Sequence, residues 1–245
     1  MADAVNGERG ADVPRRHILS RFDGDLGEFR RIVLEMGALV TGQVQLASEA
    51  LSTCDVAKAR KVLHAHRRIR DLDIDALQAN ARLYAIHQPV ASDLRLVLTL
   101  SRAVYDLERI GGEAVRLADI AEGLYDYRPT PRECAILEDV QRVGLTAVDL
   151  LRRALLALQK EDVSLAIDVA LDGKEVDKQF KGSLPRLATF IMEDPHNIHW
   201  VIEATLGVKT MERIADHSCS IARNIIYSIT GKDVRHVNVA SLPAN

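Results

Sequence analysis

Residues 107–114 read LERIGGEA, and residues 211–218 read MERIADHS. The two stretches lie 104 residues apart, and another pair repeats at nearly the same distance. Residues 51–59 (LSTCDVAKA) and residues 158–166 (LQKEDVSLA) align with an offset of 107. A chain that repeats itself in this way predicts two copies of one structural unit.

Few helix-breaking residues interrupt either copy, so each copy is predicted to contain three long helices. Pro89 in the first copy matches Pro195 in the second at an offset of 106. Asp55 and Asp162 are predicted N-caps, because an aspartate side chain accepts hydrogen bonds from the free N–H groups that begin a helix. The predicted helical segments span residues 17–53, 55–88, 91–127, 132–160, 162–194 and 197–230.

Apolar residues recur every three or four positions along these segments, as a buried helix face requires. The third segment shows the pattern at Val97, Leu100, Val104, Leu107, Gly111, Ala114 and Leu117. The sequence therefore predicts an all-α fold of two pseudosymmetric, antiparallel three-helix bundles. The first bundle is expected at residues 15–128 and the second at 129–231, with a disordered lead-in at 1–14 and a tail at 232–245.

The composition favours a globular helical protein, since 47% of residues are hydrophobic but only 4% are aromatic. A formal charge of -3 provides no general attraction for nucleic acid, so no nucleic-acid partner is expected. Cys54, Cys134 and Cys219 form no paired framework, as in a reduced protein. No signal peptide or spanning segment is predicted. We expect a cytoplasmic protein that meets a membrane only through its partners.

Carboxylates on the apolar stripes are candidate metal ligands. Glu108 and Glu212 occupy matching places in the repeat, and Asp216 follows Glu212 by one helical turn. Asp177 and Asp73 on the fifth and second segments are further candidates. Oxygen ligands that converge on one point suit a divalent cation or iron. The alternative is that these acids are ordinary surface charges.

A basic run lies on the second segment. It consists of His64, His66, Arg67, Arg68 and Arg70. Such a run is usually a solvated helix face. The alternative is a surface that contacts an anion or an acidic partner.

Motifs of known enzymes do not account for this chain. No glycine-rich phosphate loop, HExxH motif or nucleophile elbow occurs in the sequence. Glu193 and His196 have the ExxH spacing of di-iron bundles, but Pro195 between them disfavours one helix that carries both. His217, beside Asp216, is a possible metal ligand. The chain is therefore not expected to be an enzyme.

Four short stretches carry a resemblance to a known family. They are QPVASDLR at 88–95, DLERIG at 106–111, MERIAD at 211–216 and GKDVRHVN at 231–238. In order and spacing the chain resembles the PhoU family, accessory regulators of the bacterial phosphate-specific transport system. The resemblance implies two three-helix bundles, and in some relatives iron or other metal bound by paired E/DxxxD motifs.

The two copies match that metal motif unequally. Glu212 and Asp216 fit it fully, whereas Glu108 is followed four residues later by Gly112. Arg70 also stands where the family motif has an acid. Its positive charge would neutralise Glu108 in place of a metal ion. The second bundle is therefore predicted to bind metal better than the first.

The resemblance also implies a function. The chain would couple the phosphate ABC transporter, through its ATPase subunit, to a sensor histidine kinase, and would repress the phosphate-starvation response as a homodimer. Two alternatives stay open at this point. One is a carboxylate-bridged di-metal enzyme, and the other is a metal-free scaffold in which Glu108 and Glu212 pair with arginines such as Arg109 or Arg213 on neighbouring helices.

Overall fold

Six long helices make up the part of the chain that the structure describes, residues 12–124 and 131–234. In the computed structural model the helices are α1 (Asp12–Thr53), α2 (Val56–Arg82), α3 (Ala91–Leu124), α4 (Pro131–Lys160), α5 (Val163–Glu193) and α6 (Ile198–Thr230). A π turn, Leu83–His87, extends α2, and a 3-10 turn, Pro195–Asn197, precedes α6. Neither described range contains a strand, and the predicted all-α fold is confirmed.

The predicted segment ends agree with the helices to within a few residues at most positions. One difference is that α1 already begins at Asp12, so residues 12–14 of the predicted lead-in are helical. The other is that regular α2 stops at Arg82, because the wider π turn takes up the residues before the break at Pro89. The earlier part of the lead-in, the predicted bundle boundary at 128/129 and most of the predicted tail lie outside the described residues.

The helices pack as two three-helix bundles placed side by side. Helix α2 contacts α1 and α3, and α5 contacts α4 and α6. The two bundles meet through α1 against α4 and through α3 against α6. Buried apolar residues of both halves belong to one continuous core cluster. The predicted pair of bundles is thus confirmed, and the pair shares a core.

The same turn joins the first two helices of each half. Asp55 Oδ1 accepts a hydrogen bond of 3.1 Å, and Asp162 Oδ1 one of 3.0 Å, each from the backbone N–H three residues further on. The residue before each cap, Cys54 or Glu161, has a φ of 49° or 53°. A left-handed residue ends the first helix and lets the chain reverse at once. Both N-cap predictions are confirmed.

Loss of either N-cap is expected to destabilise the chain modestly. Asp55→Ala should lower the free energy of unfolding by about 1 kcal/mol, because the first N–H groups of α2 lose an acceptor. Asp162→Ala should have a similar effect on α5. Urea denaturation followed by circular dichroism measures both. Asp23→Ala on the exposed face of α1 is the control, and an equal loss in that variant would contradict the cap assignment.

Two glycines allow the central helices to approach each other closely. A Cβ atom on Gly207 of α6 would lie 2.9 Å from Leu51 Cδ2 of α1 and 3.2 Å from a methyl group of Val140 of α4. A Cβ atom on Gly144 of α4 would overlap the hydroxyl of Ser48 on α1. The contact between the two bundles therefore depends on residues without a side chain.

Polar contacts join α3 and α6 across the same boundary. Asp106, which is buried, lies with its Oδ1 2.9 Å from Nδ1 of His217. Arg102 donates to the side-chain oxygen of Asn224 over 3.1 Å. Further contacts join Arg95 to Ser228, Thr99 to Asn224 and Arg213 to Glu113. These bonds fix the register of the two antiparallel helices.

The structure describes the side chains of two of the three cysteines. Cys219 is a buried free thiol and Cys54 is half-buried, while the side chain of Cys134 lies outside the described residues. Burial raises the pKa of the Cys219 thiol to about 11, and its Sγ donates to the carbonyl oxygen of Val169.

Within the described ranges, no helix has the length and apolar character needed to cross a membrane.

Candidate functional site

The acids predicted in the second bundle lie beside lysines. Glu212 on α6 is 14% exposed at its side chain, and its carboxylate contacts the ammonium of Lys209, one turn earlier. Asp177 on α5 accepts a hydrogen bond of 2.7 Å from Lys181. Asp216 lies one turn after Glu212 and reaches the surface. Two lysines thus stand among three carboxylates.

Asp216 and Glu212 of the second bundle lie in different electrostatic surroundings. Desolvation raises the pKa of Asp216, and the negative charge of Glu212 raises it further. Glu212 Oε2 is buried and makes an ion pair with Lys209, although the contact lacks the geometry of a hydrogen bond. The Lys209 ammonium lies 5.1 Å from the ring centroid of Phe180 and is held there by a cation–π contact. Any additional cation at Glu212 would have to compete with Lys209.

The acids predicted in the first bundle share a cavity. Asp73 on α2 and Glu108 on α3 both line a space of about 270 Å³ between the helices. Asn80 lines it as well, and its Oδ1 is buried without a hydrogen-bond partner. Most of the remaining wall comes from Phe29, Ala76, Leu77, Val104 and Tyr105. Sequence reasoning identified both acids, but it identified neither the cavity nor Asn80.

Glu108 has a neighbouring cation, which is Arg109 rather than Arg70. Arg109 Nε lies 4.0 Å from Glu108 Oε2, and its guanidinium lies 5.3 Å from the Tyr105 ring. Arg70 makes no ion pair with Glu108 among the described residues. Both instead act on His66, whose pKa is lowered by burial and then by Arg70, while Glu108 opposes the shift. Glu108 and Arg109 thus form a long ion pair of 4.0 Å, as the metal-free alternative expected. Both residues lie on α3, whereas that alternative expected an arginine of a neighbouring helix.

The other candidate ligands have protein partners. His217 faces Asp106 on α3 rather than its neighbour Asp216. His196 Nδ1 lies 3.0 Å from Asp194, and the 3-10 turn around Pro195 separates it from α5. Across the described residues, no three histidine, cysteine, aspartate or glutamate side chains come close enough together to hold a metal ion. Metal binding at the five predicted acids stays a prediction.

The five side chains of the basic run on α2 differ in their exposure to solvent. Four of its side chains are exposed, namely His64, Arg67, Arg68 and Arg70. His66 is half-buried, and a Cβ atom on Gly111 of α3 would lie 3.4 Å from its ring. Arg68 already donates to Glu35 over 2.7 Å. Contact of this run with a partner or an anion stays a prediction.

Comparison with known proteins assigns the family. The PhoU domain family model matches residues 33–121 and again residues 140–225, one match in each half of the fold. The chain belongs to the PhoU family. The phosphate-specific transport system accessory protein PhoU homolog of Pseudomonas putida is 36% identical over 228 residues, which cover 93% of this chain and 88% of that protein.

Solved structures of PhoU proteins have the same fold. The crystal structure of PhoU from Pseudomonas aeruginosa matches with a TM-score of 0.81 and 35% identity, over 86% of this chain and 100% of that one. The phosphate transport system regulatory protein PhoU from Streptococcus pneumoniae matches with a TM-score of 0.77 and 25% identity, over 87% and 99%. This PhoU-family chain therefore spans all of the first solved chain and nearly all of the second.

Proposed function

We propose that this chain is a regulatory adaptor of bacterial phosphate uptake. The observation that carries the proposal is the PhoU match in both halves, together with a relative named as a phosphate transport accessory protein at 36% identity over nearly the whole chain. An adaptor acts through its surfaces, so its function depends on the exposed faces of the bundles rather than on a reaction centre.

The proposed partners are the ATPase subunit of the phosphate transporter and a sensor histidine kinase, which the chain would restrain when phosphate is plentiful. It would do so in the cytoplasm and as a homodimer. A row of half-exposed apolar residues on α6 supports contact with other proteins: Ile198, Ile202 and Leu206 are 52, 49 and 46% exposed. Their four-residue spacing places them on one face, as in a helix that docks against a partner.

Deletion of the gene tests the regulatory role. Without this chain, a reporter of phosphate-starvation genes should be active even in phosphate-rich medium, and the wild-type gene should restore repression. A variant with Ile202→Glu and Leu206→Glu should fail to restore it, because charge disrupts an apolar contact. Leu145→Glu on α4, also an exposed apolar position, is the matched control. Unchanged reporter output in the deletion strain would refute the proposed role.

We also propose that Glu212, Asp216 and Asp177 bind iron or a divalent cation. The buried Glu212 Oε2 and the raised pKa of Asp216 support this, since a cation would offset both the desolvation of Asp216 and its repulsion by Glu212. A cation bound there would take carboxylate oxygens as its ligands. It would also compete with Lys209 for Glu212.

Metal analysis of matched preparations tests this site. In protein purified without chelator, Glu212→Ala with Asp216→Ala should remove most of the bound metal, whereas Glu108→Ala should remove little. Lys209→Ala should increase the bound metal, because it removes the competing ammonium group. Elemental analysis measures all three variants. Equal metal loss in the Glu108 variant would contradict the asymmetry, and absence of metal from every preparation would favour the metal-free scaffold.

A further inference from the structure

Two arginines share one buried carboxylate between α4 and α5. Asp139 on α4 is 7% exposed, and its Oδ1 contacts Nη2 of Arg142, from the same helix, and Nη2 of Arg186, from α5. Both arginine side chains are 50% exposed. An arginine has five N–H donors, so each guanidinium group keeps donors for a second acceptor. The cluster thus has one positive charge in excess.

Arg153 has the opposite charge balance, although it joins the same two helices. It contacts Asp172 of α5 at 2.7 Å and Asp149 of α4 at 3.4 Å. One cation there faces two carboxylates, so no positive charge is left for a ligand. The excess at Arg142 and Arg186 is therefore a local property and not a general feature of the contact between α4 and α5.

The repeat shows that the fold does not require a charge at this place. At the offset of 107, Asp139 corresponds to Ile32 on α1, which is 4% exposed and belongs to the apolar core. Burial of an ion pair costs desolvation energy, and apolar residues of similar volume often replace such a pair without loss of stability. Asp139 is therefore better explained by its hold on the two guanidinium groups than by a contribution to the core.

Both arginines line a surface pocket between α4 and α5. Its volume is about 490 Å³, within the range of small-molecule sites. Gln179 Oε1 accepts a hydrogen bond of 3.2 Å from Thr146, which leaves the amide N–H groups of Gln179 as further donors. The lining residues are Arg142, Gln179, Gly182, Pro185, Arg186 and Thr189. The pocket therefore combines two cationic side chains with one neutral donor.

The acceptors near the pocket do not cancel its positive charge. No carboxylate is among the described lining residues. Thr189 donates its hydroxyl proton to the carbonyl oxygen of Pro185 over 3.0 Å, so this hydroxyl can offer a ligand only an acceptor. Pro185 has no N–H group, and the carbonyl oxygen of Lys181 therefore lacks the usual helical bond from that position. Glu138, one turn before Arg142, is exposed and forms no ion pair with it. The acceptors in the wall are thus neutral.

We propose that this pocket binds a phosphate-type oxyanion. The planar guanidinium group pairs with phosphate oxygens through two parallel N–H···O bonds and is only weakly hydrated, so arginine is well suited to this ligand. Asp139 holds both guanidinium groups before the ligand arrives, which lowers the entropic cost of binding. The oxyanion can be free inorganic phosphate or the phosphoryl group of an organic molecule. The inference does not depend on the adaptor role.

Titration of the ¹⁵N-labelled full chain with sodium phosphate at constant ionic strength tests the inference. The Nε–H NMR signals of Arg142 and Arg186 should shift saturably, whereas sodium chloride alone should not saturate them. Arg142→Ala and Arg186→Ala should each weaken binding about tenfold, because hydrogen bonds to a charged ligand are lost. Each single variant keeps one partner for Asp139, so circular dichroism should show an unchanged fold. Arg153→Ala, the matched control on α4, should leave binding unchanged.

Two further anions identify the ligand more closely. Tighter binding of phenyl phosphate than of inorganic phosphate would support a phosphoryl group on an organic molecule, and equal or weaker binding would support free phosphate. The inference is overturned if phosphate does not saturate the signals, or if acetate binds more tightly than phosphate. It is also overturned if both single variants bind as tightly as wild type, or if Arg153→Ala weakens binding as much as they do.

Discussion

Gly207→Val should lower the free energy of unfolding by about 3 kcal/mol. The Cβ atom alone would lie 2.9 Å from Leu51 Cδ2 and 3.2 Å from Val140, and both neighbours are fully buried. Neither can move without disturbing the contact between α1, α4 and α6. Guanidinium denaturation followed by circular dichroism measures the loss.

An exposed glycine provides the matched control for this change. A Cβ atom on Gly112, within α3, would meet no atom within 4 Å. Gly112→Ala should therefore raise stability by about 0.5–1 kcal/mol, because alanine restricts the unfolded chain and favours a helix. A Gly207→Val variant as stable as wild type would show that the three helices do not approach each other this closely.

Loss of both Arg142 and Arg186 should destabilise the chain by about 3 kcal/mol, far more than the sum of the two single changes. Asp139 on α4 is only 7% exposed, and both guanidinium groups contact its Oδ1, Arg142 from α4 and Arg186 from α5. Either arginine alone can still pair with the carboxylate, so each alanine variant should lose less than about 1 kcal/mol. The double variant leaves a buried charge without a partner.

A double-mutant cycle in urea measures this coupling. Adding Asp139→Leu to the double variant should recover most of the lost stability, because the uncompensated carboxylate is then gone. Strictly additive single changes, or no recovery on removal of Asp139, would contradict the buried charge as the cause.

Local sequence signals were sufficient for the fold. The aspartates at 55 and 162 predicted the starts of α2 and α5, because capping depends only on neighbouring backbone groups. The apolar spacing and the repeat predicted the helices and their grouping. The π turn at Leu83–His87 was not predicted, since the sequence there reads as ordinary helix before Pro89.

The candidate sites were predicted less completely, because they depend on packing between helices. The ion pair between Lys209 and Glu212 was predictable from the sequence, because residues three positions apart on a helix lie side by side. Asn80 gave no such signal: it joins Asp73 and Glu108 only because α2 packs against α3. His66 differs from its basic neighbours for the same reason, since its ring packs beside Gly111 of α3.

The continuous core has a practical consequence for finding ligands. Because apolar residues of both halves belong to one cluster, we expect the chain to melt in one cooperative transition. A ligand bound to either half at one hundred times its Kd would then add about 2.7 kcal/mol to the stability of the whole chain. A single thermal-shift screen of metal salts would therefore report on both bundles, and variants of the candidate acids in either half would assign each hit to its bundle.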